Sequence, residues 1–420
     1  MPRPSARSDD ASAVRLSACM VMVMVMVLGT AACRQAGTHQ ARAEDFARSV
    51  IHTAAEYAAA PRLPLRNWRP ACLHRNGHCD YRTFSAGGMT PSGGSILVEP
   101  GGVLEQFDSA GRYLRSIGRT GFADGEYRGV ADLAVDAQGA VVVFDRSNFR
   151  LLRYDTLGTL SHALQLRPVE LFTSAAVWSG GLVFFSIPTG DSVGQPVPAT
   201  FDALDPSGRS IHRVATVLAP ALNMHSSGDL QPMPPFFMPR ASWTVGPDGA
   251  ITFTNGTSTV ERYDTAGHPQ LFLQTGVPSR PVTPREIDAE KQRILAMFPV
   301  SRIHSMVVLS IDQSAAHAAR VHAAFTAVRV LRDGTTWLRE QPRGGADSAR
   351  WDAFRPNGAW LGWVELPASM HLLDGRASRL LLATRARGQP PSPQWVDLAA
   401  PEEAMSAEGA VRAADASRRP

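Results

Sequence analysis

Five acidic residues, Asp132, Asp136, Asp248, Asp333 and Glu340, fall in or beside short apolar runs, and His225, His304, His317 and His322 collect further along the chain. Carboxylates and imidazoles brought together from separate elements are what a divalent cation needs if it is to polarise a substrate or a bound water. Against that chemistry, Asp136, Asp248 and Asp333 precede glycines, where Asp serves a turn through its own side chain. Asp132 has no such neighbour, but one carboxylate does not make a metal site. The histidines have no metal-ligand spacing, so a solvated or hydrogen-bonded role is their plain reading. Ser226, Ser227 and Ser305 lie in no nucleophile elbow, and no phosphate loop, zinc-protease helix or dinucleotide fingerprint is present. The candidates for a channel or ligand face are Asp132, His225, His304 and His322, with no catalytic residue and no metal ligand assigned.

The elements that must position these residues form a repeat. Its clearest copy runs from Gly129 through a turn at Gly139 to Phe144-Asp145, then Arg150 to Tyr154 and a tetrad Tyr154-Asp155-Thr-Leu-Gly158. Four strand-sized pieces separated by turns make one blade of a β-propeller. An inner-turn glycine recurs at Gly94, Gly139, Gly181, Gly249, Gly334 and Gly375, which gives six blades. The outer tetrad recurs at Phe107, Leu204, Tyr263 and Phe354: its first residue packs, Asp caps the turn, and Gly takes positive φ. The sixth blade lacks the tetrad and ends at Trp395 to Leu398, so an N-terminal strand near Tyr81 to Ser85 is expected to close the ring. Trp178, Trp243, Trp337, Trp351, Trp360 and Trp363 fall in or beside strands and are expected mostly to pack between blades, with any left uncovered available to a ligand.

Successive glycines lie 45, 42, 68, 85 and 41 residues apart, against about 40 to 50 for one blade. The excess marks two insertions, at about 188–239 and 282–322. The first holds the Pro- and Met-rich stretch Gln231 to Pro239, which reads as an irregular loop. The second opens with Thr283-Pro284-Arg-Glu286, a capping box with Pro in the first turn, and Ile287, Ile294, Leu295 and Phe298 give the helix an apolar side. Glu44 to Ala59 also has helical spacing, ended by Pro61 and Pro64. Asn255-Gly-Thr has the form of a glycosylation sequon and is read as a turn.

The N-terminus reads as an export leader: Arg3, Arg7 and Arg15, an apolar run from Leu16 to Leu28, and small residues before Cys33. That run is shorter than the ~20 residues that span a bilayer comfortably. Cys33 is the expected lipidation site, with plain cleavage after Ala32 and an uncleaved anchor as the rivals. Cys72 and Cys79 flank Asn76-Gly77 and suit a disulfide in an oxidising compartment; free thiols, or a metal shared with His74 and His78, stay open. The domain plan is a signal peptide (1–32), a lipid-attached tether with a short helix (33–65), the propeller (66–400) and a disordered tail (401–420). The chain is 44% hydrophobic with a net charge of +4, and Lys291 is its one lysine. Its arginines interleave with acids, and without a basic stripe nucleic acid is not an expected partner.

Residues 94 to 160 resemble NHL repeats, above all Gly118 to Tyr127, Ala131 to Gly139 and Asp145 to Arg150. The stretch from about 79 to 398 is similar to exported bacterial six-bladed propellers with a helical insertion before the fifth blade. The resemblance implies an all-β fold, a six-bladed β-propeller with a short helical insertion between the fourth and fifth blades, and no particular activity. The expected function is a non-catalytic, membrane-anchored envelope propeller, facing the periplasm or cell exterior, that binds a protein or polymer partner and needs no cofactor. The alternative is an exported hydrolase or lyase, lactonase-like or amidating-lyase-like, with a divalent metal such as calcium in the central channel.

Overall fold

A computed structural model describes residues 42–399 apart from 75–76, 78, 80, 82–85, 100–101, 167–171, 189–195, 205–210, 221–233, 298–303, 343–345, 377 and 385–392. Six antiparallel sheets follow one another along the chain and form the blades of a β-propeller. The inner strands of blades one to six are Ala86–Met89, Val130–Val135, Ser174–Trp178, Ser242–Val245, Phe325–Val330 and Met370–Arg376. Each is followed outward by its neighbours in sequence order. Between the blades lie apolar layers; one joins Trp337, Trp351 and Val364 of blade five to Leu372, Leu380 and Val396 of blade six.

The tetrads explain why the outer hairpins form. Asp108, Asp155 and Asp264 each accept backbone N–H groups two and four residues ahead, while Phe107, Tyr154, Leu204, Tyr263 and Phe354 are all buried. In the fifth tetrad Asn357 takes over, accepting from Ala359 N. Two inner glycines work differently from expectation. In blade one the positive φ belongs to Gly93, and a Cβ on Gly94 would stand 2.1 Å from Phe107 O. Gly375 lies inside its strand, where a Cβ would meet Arg379 O at 2.7 Å.

The strand that closes the ring is Leu65–Pro70, paired with Pro393–Leu398; of the segment Tyr81 to Ser85 expected in that place only Tyr81 is described, buried beside Phe107. Asn67, at φ 55°, sits where the register shifts between Arg66 and Arg69. That bulge hides the strand's periodicity. Asp397 clasps the closure, accepting from Arg69, Arg379 and Asn67. The expected helix over Glu44 to Ala59 is confined to α1 (Ala54–Ala59); before it Arg48–Ile51 is a strand, parallel to the outer strand of blade four, Pro269–Gln274. β-branched Val50 and Ile51 favour that extended backbone. Of the residues expected to be tether, 43–65 thus lie along the rim, and 33–41 lie outside the described residues. Cys72 and Cys79 form a disulfide with Cα atoms 5.4 Å apart.

The insertions are partly regular. Pro196–Leu204 and Ile211–Pro220 are the long third and fourth strands of blade three, so part of the first insertion is sheet, while 234–239 of the stretch expected to be irregular contains no strand. Between blades four and five stand α2 (Pro284–Leu295) and α3 (His304–Ala316). The Thr283–Glu286 capping box is formed as the sequence predicts, with Pro284 in the first turn. Phe298 lies outside the described residues.

Candidate functional site

Alternation of strand direction sends the first and third turns of every blade to one face of the ring, the turn face. The second turn and the link to the next blade go to the other, the loop face. The connections 187–195, 221–241 and 275–324 all leave from the loop face. The two insertions therefore build on one side, and they meet there. Phe236 from the first is buried with Ile294 of α2 and Val307 and Ile311 of α3, flanked by Phe237 and Ile287. Phe236 N donates to Ser314 O at 3.1 Å, and Ala319 N donates to Phe236 O at 2.9 Å. Lys291 of α2 pairs with Asp312 of α3 at 2.7 Å.

Glu286 is the polar hub of this cap. It accepts from Thr283 N, from Arg280 at 2.7 Å and from His322 Nε2 at 3.1 Å. Those donors, led by the Thr283 backbone, hold its carboxyl down at about 2. His322 is buried, its ring edge-on to Phe237 at 4.9 Å. It is thus enclosed in the cap and does not present its imidazole to a ligand. His304 opens α3 with its side chain outside the described residues, as are His225 and Cys33.

The second feature is the central channel, a cavity of about 1020 Å³ lined by all six inner strands. Asp132 points into it from blade two and is partly accessible to channel water while protein surrounds it. That burial raises its carboxyl to about 6, against the pull of hydrogen bonds from Val177 and Leu133 N–H and the nearby Arg329. Its Oδ2 accepts from Val177 N of blade three at 2.8 Å. Two other junctions repeat the device: Asp374 of blade six accepts from Met89 N of blade one at 2.7 Å, and Ser242 of blade four from Val328 N of blade five at 3.1 Å. Trp243 Nε1 donates to Ser174 Oγ at 2.8 Å and links blades three and four.

Most of the other acids near the sequence-predicted inner turns are similarly engaged. Asp136 accepts from Gln138 N, Ala140 N and Arg153. Asp333 accepts from Thr335, and Asp248 pairs with Arg262. Asp374 also takes Arg332 at 3.1 Å, whose other nitrogens donate to Val135 and Asp136 carbonyls. Glu340 is away from the channel altogether, bonded to Tyr57 of α1. No histidine is among the residues lining the channel, and among the described residues no three His, Cys, Asp or Glu side chains group as a metal cage. The donor set does not fit a bound calcium, because its carboxylates are separated and each satisfies N–H or guanidinium groups of the ring. Sequence reasoning missed Asp374, Arg329 and Arg332; the alternation of the inner strands was the signal that could have found them.

No protein-family model matches the chain, and no curated protein matches it. Its fold is similar to solved propellers. A DUF4221 family member from Bacteroides vulgatus is 10% identical, with 81% of this chain and 98% of that one covered at a TM-score of 0.49. A Bacteroides fragilis protein described as exported is 10% identical, covering 80% and 95% at 0.42. Virginiamycin B lyase from Staphylococcus aureus is 13% identical, covering 80% and 99% at 0.37. Such likenesses carry no argument on activity, and the six-bladed ring stands on the strand pairings themselves. Among the described residues no helix is long and apolar enough to cross a membrane.

Proposed function

We propose that this protein is a non-catalytic binding propeller of the cell envelope, held to the membrane through lipid on Cys33, whose loop face takes a protein or polymer partner. The observation that carries the reading is the convergence of both insertions on one face around one nucleus of Phe236, Ile294, Val307 and Ile311. Ordering α2, α3 and the segment around Phe236 on one face carries a considerable entropic cost, and the six sheets close into a ring without them. Leu309, 60% exposed on α3, gives the cap an apolar contact point. A binding role also accords with a channel in which Asp132 and Asp374 bond across blade junctions and Asp136 and Asp333 bond within their own blades.

Site-specific photocross-linking in the intact envelope tests this. A cross-linker at Leu309 should yield one discrete adduct, and the same group at Leu157, 72% exposed on the turn face, should yield none. Discrete adducts from Leu157 alone would refute the assignment of the face. Mass spectrometry of the mature N-terminus should find a lipid-modified Cys33; an unmodified residue at another cleavage point would remove the anchor.

A further inference from the structure

Residues 48–63 run along the outer rim, where Val50 packs against the layer between blades four and five, His52 is buried, and Leu63 is buried in the layer between blades five and six. Arg48–Ile51 adds to blade four, and His52 N donates to Gln274 O at 2.8 Å. α1 then lies against blade five, where Trp363 N donates to Pro61 O and Leu63 N to Trp363 O. Beneath α1 sits a charged cluster. Arg350 is sandwiched between the Tyr57 and Trp363 rings, 4.1 and 4.6 Å from their centroids. Its Nε donates to Asp352 Oδ1 at 2.7 Å and lies 3.2 Å from Glu340 Oε1, which also accepts from the Tyr57 hydroxyl at 2.7 Å.

Counting charge exposes the imbalance. The Asp352 side chain has no exposure, and Glu340 is close enough to hydrogen-bond to it. One guanidinium therefore faces two carboxylates. Asp352 Oδ2 finds no N–H or O–H donor; a proton between the two acids is the donor this packing lacks. The other groups around the cluster are committed elsewhere. Arg339 donates to Thr326 and Ala368, Arg62 pairs with Glu365, and Glu56 caps α1 through Thr53. His52 Nε2 is bonded to Gly358 O, with Nδ1 3.9 Å from Glu56.

We propose that residues 48–63 are a releasable strap, docked on blade five by one proton shared between Glu340 and Asp352. With the proton in place the cluster is neutral and α1 seals it. Without it, the buried Asp352 and the part-buried Glu340 are like charges sharing one arginine, and the strap is expelled. Burial raises Asp352 well above the ordinary carboxylate range, so the docked form binds a proton that the released form gives up. Docking is firm in acid and loosens as pH rises through the docked value.

Hydrogen exchange on the full-length protein at pH 5.5 and 8.5, corrected for intrinsic rates, reads this directly. Protection over 48–63 should fall at least about tenfold at the higher pH, relative to the closing strand 65–70. Asp352→Asn should make the strap equally protected at both values, and Glu340→Gln should do the same, carrying the test if the first variant fails to fold. A wild-type strap with no pH dependence would overturn the proposal. So would a dependence that persists in both variants, which would place the titrating group outside the Glu340–Asp352 pair.

Discussion

Asp132 in the channel and Glu286 in the cap are both carboxylates fed by backbone N–H groups, yet burial raises the first to about 6 while its donors hold the second at about 2. The difference lies in what surrounds them. Asp132 has one inter-blade partner and a low-dielectric wall, so its charge is costly and its value is in joining blade two to blade three. Glu286 stands nearer solvent with Thr283, Arg280 and His322 around it, so its charge is the bond that holds the cap together. A perturbed carboxyl in a cleft suggests chemistry; under the binding proposal Asp132 serves the joint between blades two and three, and the elaborated surface lies on the loop face.

The largest effect that separates the two regions should come from the cap nucleus. Ile311→Ala empties a fully buried position and should cost the cap about 2–5 kcal/mol. Hydrogen exchange should show α2 and α3 opening while the six sheets keep their protection. Next, Asp374→Ala leaves Met89 N, Gly375 N and Arg332 without their acceptor. Urea denaturation should show a loss of about 2–3 kcal/mol, felt by the whole ring because blades six and one part there. Equal damage to cap protection from this variant would blur the distinction between the regions.

The pH responses should differ in direction. Asp132 binds its proton more tightly folded than unfolded, so ring stability falls as pH climbs from about 4 through about 6. Asp132→Asn keeps an acceptor for Val177 N and should flatten that slope by about 1–3 kcal/mol, measured by urea melts from pH 4 to 8. Glu286, held low, stabilises the cap at neutral pH and gives up that contribution only as pH falls towards about 2. Glu286→Gln, the smallest of these effects, should loosen the cap by about 1 kcal/mol, with no change in ring stability.

What could be read beforehand follows from local chemistry. The outer tetrads were legible because Asp, Gly and a large apolar residue act within five positions. The cap's first helix was legible because Thr283, Pro284 and Glu286 signal a start within one turn. Spacing between glycines revealed the insertions, but not that Pro196–Leu204 and Ile211–Pro220 would be sheet, since Pro196, Pro198 and Pro220 at the strand ends argue against a strand. Leu65–Pro70 was hidden by its bulge at Asn67. Arg48–Ile51 looked helical because its spacing suits a helix and its partner lies more than 200 residues away. The clamps at Asp374 and Ser242 depend on which blade stands next in the ring, a non-local fact that no motif records.

The division of labour between channel and cap is tested most directly by thermal melts of the wild type and an Asp132→Asn, Asp374→Asn protein, each with and without millimolar calcium. If the channel carboxylates only hold the ring, calcium leaves both melting temperatures unchanged, and the double variant differs from the wild type by the same amount in either buffer. A calcium-dependent rise in the wild type that the double variant loses would mean that these carboxylates gather a cation, and would return the function to the channel.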